Sequence, residues 1–393
     1  MSGHVGDLSP KQAEVLQKFR ETMKDVLKPH HDDYFLTRWL RARNYDLKKA
    51  ETMLRNDFTW RAQNGIDTIL SDYKVPEVIE KYYPGGLCGR DKQGCPVWID
   101  PFGDMDIKGM LSSARKQDVI KSKVHLLERI YKIFEAESTE NQRVDGIVVI
   151  FDLEKMGLKH LWKPGVDLFN SILAIFEEHF PESLKKSYVI NAPRIFPIAF
   201  NLVRPFLSEA TVKKVHILGT NYKEELLKDI DADQLPVYWG GTKTDPDGNI
   251  RCPSQICLGG EIPLKYYSEV LSNLDGFTEV DLGRGSSLQL DYEIKVPQSV
   301  IRWQFKTDGF DIGFGIFKRT KNKRQKAGAM DEVVASDRVN SHLIPEDGST
   351  TCTDVGTYVI RFDNTYSWTR GKTLFYLIEV LEPDVTDLDI QTD

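Results

Sequence analysis

The chain is poor in the features that mark secreted, membrane-spanning and nucleic-acid-binding proteins. Its 393 residues hold only five cysteines, Cys88, Cys95, Cys252, Cys257 and Cys352, an odd and thinly spread set that argues against a disulfide framework. No aliphatic stretch comes near the roughly 20 residues needed to cross a bilayer, so no spanning helix is expected. Acidic residues outnumber basic ones by 59 to 52. Glu382, Asp384, Asp387, Asp389 and Asp393 crowd the end of the chain, so the remainder is nearly neutral. Without a basic field, nucleic acid is not an expected partner. The first dozen residues contain no apolar signal core and no Asn-x-Ser/Thr sequon occurs, which sets the expectation of a cytoplasmic protein.

What is present falls into three textures, read as a multi-domain chain. Residues 1–73 form a helical module: Ser9-Pro10 is a start signal, and Leu36, Trp39, Leu40, Leu47, Ala50, Met53, Leu54 and Phe58 recur at three- and four-residue steps. Arg38, Arg41 and Arg43 alternate with this apolar face and read as a solvated helix surface rather than a phosphate contact. Residues 74–247 alternate short apolar runs, at 96–99, 146–151, 187–190 and 212–218, with amphipathic stretches marked by Val124, Leu127, Tyr131 and Phe134, and by Leu161, Phe169, Ile172, Leu173 and Phe176. Apolar runs separated by helices imply a buried α/β sheet with helices packed over it.

After a linker at 248–274 the period becomes two. Leu288, Leu290, Tyr292, Ile294 and Val296 alternate with polar residues. Ile301, Trp303 and Phe305 do so with Arg302, Gln304 and Lys306. With Tyr358, Ile360, Phe362 and Leu374, Tyr376, Ile378, Val380, this makes 275–383 an all-β sandwich, followed by an acidic tail at 384–393.

Catalytic signatures fail one by one. Gly371-Lys372-Thr373 resembles the end of a phosphate-binding loop, but Tyr366 stands where its first glycine belongs. Gly313-x-Gly315 lacks a third glycine, and no Gly-x-Ser-x-Gly elbow exists. Asp245-x-Asp247-Gly248 reads as a turn rather than a calcium loop, and Cys252 with Cys257 has no second ligand pair for zinc. No metal, cofactor or enzymatic activity is expected.

Residues 195–207 are different. Ile195, Phe196, Ile198, Phe200, Leu202, Val203, Phe206 and Leu207 leave only Asn201 and Arg204 as strongly polar positions, so a helix here is apolar on nearly every side. A surface helix should show one apolar stripe. Either the segment is a buried core helix, or it is a lid with one face over an apolar cavity and the other meeting water and dipping into membrane. In 212–218, strand alternation would turn either Lys213 or Lys214 inward, and an inward ammonium needs an anion such as Glu182 or a ligand phosphate.

These residues also carry a resemblance. His179-Phe-Pro-Glu-Ser-Leu, Val189-Ile-Asn-Ala-Pro, Asn201-Leu-Val-Arg-Pro-Phe-Leu, Thr211-Val-Lys-Lys-Val, Ile217-Leu-Gly and Leu235-Pro followed by Gly240-Gly241 resemble the CRAL-TRIO lipid-binding fold. Asp33-Tyr-Phe-Leu-x-Arg-Trp-Leu-Arg-Ala-Arg resembles its N-terminal module. Arg302-Trp-Gln-Phe, Asp311-Ile-Gly-Phe-Gly-Ile and Arg361-Phe-Asp-Asn-Thr-Tyr-Ser resemble a GOLD domain. Met1-Ser-Gly-x-Val-Gly-Asp-Leu-Ser-Pro and Gly157-Leu-Lys-His-Leu-Trp-Lys-Pro are similar to the branch that holds the supernatant protein factor (tocopherol-associated protein) and its paralogues. The resemblance implies a cytosolic carrier of a bound hydrophobic ligand, of the tocopherol, squalene, retinoid or phosphatidylinositol class. Retinal is the alternative cargo, by likeness to invertebrate photoreceptor proteins.

The same resemblance implies that Glu182, Thr211 and Lys214 hold an inositol phosphate and that 195–207 is a gate. It places Ile147 and Val149 where phosphatidylcholine-binding members carry hydroxyls, which argues against choline lipids. Lys318, Arg319, Lys321, Lys323, Arg324 and Lys326 form a basic run between β segments, read as a hairpin tip able to touch anionic lipid. The partners expected are therefore a lipophilic small molecule and, transiently, a membrane. A lipid-dependent adaptor whose GOLD-like domain docks a protein partner is the competing reading.

Overall fold

The computed structural model describes residues 3–139, 143–267, 276–321, 325–342 and 345–383. Part of the expected linker, the acidic tail at 384–393, and Lys323 with Arg324 of the basic run lie outside the described residues.

Three helices open the chain. Ser9 and Gln12 form a reciprocal capping box at Pro10–Thr22, Asp32 caps Asp33–Ala42, and Asp46 caps Leu47–Asn64, which ends on Gly65 at φ 62°. Phe19, Met23, Leu36, Trp39, Leu40 and Leu54 are buried between them.

The central unit is a five-stranded sheet of β1 (Gly86–Arg90), β2 (Pro96–Asp100), β3 (Ile147–Asp152), β4 (Leu184–Ile190) and β5 (Val215–Ile217), in that spatial order. β1 runs antiparallel to β2, and the other neighbours are parallel. The apolar runs foretold β2 to β4. The last run differs: residues up to Val212 belong to a short helix, Glu209–Val212, and only Val215–Ile217 is strand. β1 carries two glycines and no apolar run, which hid it from the pattern.

Strand alternation gives the sheet two unlike faces. On one, Val97, Ile99, Val148, Ile150, Tyr188 and Ile190 meet Leu226, Ile230, Leu235, Trp239 and Ile256 in a filled core. On the other, Trp98, Asp100, Ile147, Val149, Phe151, Ser187 and Val189 look across a space to the helices Lys116–Glu137 and Lys163–His179. At the end of β3, Asp152 ties the filled side together: Oδ2 accepts from Trp239 Nε1 at 2.9 Å, and Oδ1 accepts from Asn191 Nδ2 at 2.8 Å and from Glu154 N–H at 3.0 Å.

The C-terminal part is a sandwich of two antiparallel four-stranded sheets. β6 (Thr278–Leu282), β8 (Ser299–Asp308), β11 (Glu346–Cys352) and β13 (Lys372–Leu381) lie in the order β11-β8-β13-β6. β7 (Ser287–Ile294), β9 (Ile312–Lys318), β10 (Asp331–Val339) and β12 (Gly356–Asp363) lie in the order β10-β9-β12-β7. Ile301, Trp303, Phe305, Phe314, Ile316, Ile360 and Phe362 fill the space between them.

Alternation puts Arg302 on the outer face of β8, where a charged residue should be solvated. It is instead 6% exposed. The reason is that this face docks on the central unit: Arg302 Nη1 donates to the Leu161 carbonyl at 2.7 Å, Nε donates to Glu379 at 2.8 Å, and Val300 and Leu381 pack on Leu161 and Ile198.

Removing the Asp152 carboxylate would leave three buried or half-buried donors without their acceptor. Asp152→Ala should lower unfolding free energy by about 2–4 kcal/mol. Urea denaturation checks this, with an unchanged slope expected if only stability is lost.

Candidate functional site

The space beside the sheet is a cavity of about 290 Å³. Its walls come from the β2 to β5 face, from Lys123, Leu126, Leu127 and Ile130 of one helix, and from Val166, Phe169, Ile172, Leu173 and Phe176 of the other. Phe196, Ala199, Phe200, Val203 and Leu207 close it. The Ile147 and Val149 side chains line it, so the positions singled out in the sequence do face the interior and are apolar there. A hollow of this lining has few groups to hold water and offers mainly burial to an apolar guest.

The helix Phe196–Val203, continued by a 3₁₀ turn at Arg204–Phe206, resolves the question of its two apolar sides. Phe196, Phe200, Val203 and Leu207, at steps of four, three and four, form one stripe toward the cavity and its flank. Ile195, Ile198 and Leu202 form a second stripe, and it faces Val300 and Leu381 of the sandwich rather than water. Asn201 Nδ2 donates to the Glu382 carbonyl at 3.3 Å on the same side. The expectation of a water-facing outer surface therefore fails for these three residues, because the sandwich covers them. Phe206 is the exception, at 42% exposure.

Glu182, Thr211 and Lys214 all border the cavity. Lys214 Nζ lies 3.2 Å from Glu182 Oε2, so this lysine is the inward one, although a helix turn and not strand alternation places it. Thr211 Oγ1 is 2.9 Å from Ser208 Oγ, the N-cap of that turn. Glu182 sits in the left-handed region at φ 59° and is only 10% exposed.

A fourth member was read in the sequence as solvated: Arg41 Nη2 donates to the same Glu182 oxygen at 2.7 Å. Its signal, an arginine alternating with the apolar helix face, was shared by Arg38, which instead stacks on Tyr131 at 4.7 Å. Burial and the neighbouring Arg41 hold the His4 imidazole below its usual range, and its Nδ1 lies 3.1 Å from Arg41 Nη1. One carboxylate thus meets two cations at the cavity's edge, with the Thr211 hydroxyl bordering the same cavity.

Three further polar groups in the cavity wall were given no role in the sequence reading. Lys123 Nζ lies 3.3 Å from the centroid of the Tyr83 ring and 5.9 Å from that of Trp98. Burial brings its ammonium down to about 8, against the pull of Asp100. Burial likewise pushes the Asp100 carboxyl up to about 6, and its Oδ1 has no hydrogen-bond partner. His160 is held down to about 4 by burial, with Nε2 unpaired.

The basic run is divided. Lys318 pairs with Asp354 at 2.9 Å and Arg319 with Asp291 at 2.6 Å, both within the sandwich, while Lys321 and Lys326 are exposed beside the β9–β10 connection. Among the described residues no group of three or more His, Cys, Asp or Glu side chains is arranged to hold a metal. No helix among them is long and apolar enough to cross a membrane.

This architecture has relatives. The family model for the CRAL/TRIO domain matches residues 80–241, and that for the CRAL/TRIO N-terminal domain matches residues 11–56. Protein ctg-1 of Caenorhabditis elegans is 31% identical over 373 residues, covering 92% of this chain and 96% of that protein. Protein real-time of Aedes aegypti is 29% identical over 414 residues, and its counterpart of the same name in Anopheles gambiae is 28% identical over 437. Each covers 96% of this chain, which spans 62% and 64% of their respective lengths. The chain belongs to the CRAL-TRIO family, whose domain binds lipophilic ligands.

Because the second stripe is held by the sandwich, breaking that contact should loosen the helix Phe196–Val203 without emptying the core. Leu202→Asp, which sets a carboxylate against Val300 and Leu381, should raise amide hydrogen exchange across 196–206 by about tenfold or more while β8 and β13 stay protected. Equal protection in variant and parent would show that the sandwich does not hold the helix.

Proposed function

We propose that the protein carries a hydrophobic small molecule in this cavity and exchanges it at membranes by moving residues 195–207. The observation that supports it most directly is the half-filled sheet: one face packed solid, the other apolar and facing a hollow closed by a helix with two apolar stripes. At about 0.8 kcal/mol per buried methylene, ten methylenes contribute roughly 8 kcal/mol, so release into water would be slow and delivery needs an apolar acceptor. Opening the gate requires Ile195, Ile198 and Leu202 to leave the sandwich. A bilayer is the environment that would receive those side chains along with Phe206.

The cargo reading is of the tocopherol, squalene, retinoid or phosphatidylinositol class. Apolar Ile147 and Val149 favour bulky isoprenoids over choline lipids. Arg41, Lys214, Thr211 and Glu182 favour, as a second cargo, a lipid whose phosphate stands at the cavity edge. The exposed Lys321 and Lys326 support contact with anionic lipid. The shared gate surface also supports an adaptor role, in which a GOLD-like sandwich docks a protein partner according to whether the cavity is loaded. The setting we infer is cytoplasmic, with transient peripheral membrane contact, and no reaction is assigned.

Two measurements test the carrier. Organic extraction of the protein purified from its source should yield a lipophilic compound at near one equivalent. Phe200→Asp with Phe206→Asp should cut transfer of a fluorescent isoprenoid between vesicles by about a hundredfold while far-ultraviolet circular dichroism is unchanged. Transfer at the parent rate overturns the gate. Arg41→Ala with Lys214→Ala should weaken only phosphate-bearing cargo.

A further inference from the structure

The amine in the cavity wall is out of keeping with simple enclosure. Lys123 projects from the helix Lys116–Glu137 into an apolar space, and no carboxylate or carbonyl of the described residues lies within bonding distance of Nζ. Its neighbours are the Tyr83 and Trp98 rings, and Trp98 is seated there because Gly85, at φ 120°, leaves room: a Cβ at Gly85 would come within 2.3 Å of the indole. Asp100, two residues beyond Trp98 on the same face of β2, presents a buried oxygen without a partner to the same cavity. The other titratable group whose charge bears on Lys123 is the Cys257 thiol, which burial keeps protonated. An amine with no hydrogen-bonded acceptor and a carboxyl with one unpartnered oxygen, both lining a mainly apolar hollow, match the requirements of reversible condensation with a carbonyl.

The geometry points to Lys123 as a covalent anchor for aldehyde cargo, forming an imine inside the cavity. This rests on the carrier reading and deepens it. The Nζ lone pair attacks the aldehyde carbon, the carbon–nitrogen bond forms, and the carbonyl oxygen takes up a proton. The resulting carbinolamine expels that oxygen as water as the second carbon–nitrogen bond closes and nitrogen gives up its protons. Aldehyde plus amine gives imine plus one water, with no oxidant or reductant. Asp100 is the group positioned to lend and take back the proton and then to balance an iminium charge. The wall's depressed ammonium supplies free amine near neutral pH, where a surface lysine supplies almost none.

The experiment uses the whole chain with farnesal as probe, farnesol as its non-condensing control, and cyanoborohydride to fix any imine. Peptide mass spectrometry should find the reduced adduct on Lys123, at about tenfold or greater yield than on any other lysine, and Lys123→Met should lose it. Between pH 7 and 9 the initial rate of adduct formation should rise about tenfold and level off, where an ordinary lysine would rise about a hundredfold. Asp100→Asn should slow the step while farnesol uptake persists. Farnesol uptake together with adducts scattered over surface lysines, or absent, overturns the anchor and leaves the carrier standing. Uptake of neither compound overturns both. Should Lys123→Met fold poorly, the position of the adduct in the parent protein decides alone.

Discussion

The structure depends on one unbalanced packing relation: a sheet with apolar side chains on both faces, filled solidly on one and packed around a hollow on the other. Parallel sheets are ordinarily covered on both sides, and here the Leu226, Ile256 and Trp239 side is. On the other side Ile147, Val149 and Trp98 pack with Leu127, Ile130 and Phe134, a hollow is left between sheet and helices, and Phe196, Phe200 and Val203 close its edge. A small cavity in a core costs contact energy that its lining cannot recover. One of about 290 Å³ is far larger than the scattered voids of packed interiors. Filling it with a guest would restore those contacts, so loading and stability are coupled by mass action.

The helix Phe196–Val203 inherits this relation. A helix that closes an apolar hollow needs an apolar stripe inside, and one that swings away needs an environment for whatever lies outside. In this chain the outside is the β-sandwich, bound through Val300, Leu381 and the buried Arg302, whose guanidinium reaches the Leu161 carbonyl. Lys163 lies 3.8 Å from Glu379 and Lys108 2.5 Å from Asp347, so charged pairs flank the apolar contact. Exposed pairs of this kind contribute little individually and are screened by salt. The hold on this helix is therefore mainly the apolar contact and the buried arginine.

Much of this was legible in the sequence because it follows from periodicity. Three of the four apolar runs are strands β2 to β4 and the end of the fourth is β5, while the helical stripes and the period-two region correspond to the covering helices and the sandwich. The peculiarity of 195–207 was visible as apolar residues on all sides. What periodicity could not say was which partner met each side, since a stripe facing a cavity and a stripe facing another unit are written in the same residues. Arg302 was misplaced for the same reason: alternation assigns a face of the strand, and only docking decides whether that face is wet. Lys214 reached its place by a turn that the strand pattern did not anticipate, and Arg41 by pairing with Glu182, 141 residues along the chain.

The deep polar groups were illegible for a different reason. A lysine between Ser122 and Val124 on an amphipathic helix looks like any boundary residue, whose ammonium can reach water along its flexible stem. Here the stem leads into the cavity, where the Tyr83 ring takes the place of solvent. A buried cation held by a ring and a distant carboxylate is less stable than an apolar side chain of the same size, since desolvation is only partly offset. Asp100 carries the same disadvantage, with one oxygen unpaired. Each lowers the other's cost, because the charge of either favours the charged form of its partner, yet neither shift is cancelled. Two such groups in the wall of a mainly apolar hollow weaken the empty protein, and a guest with a polar end is what would turn that disadvantage into selective binding, because only it can satisfy the atoms that an all-hydrocarbon guest leaves unpaired.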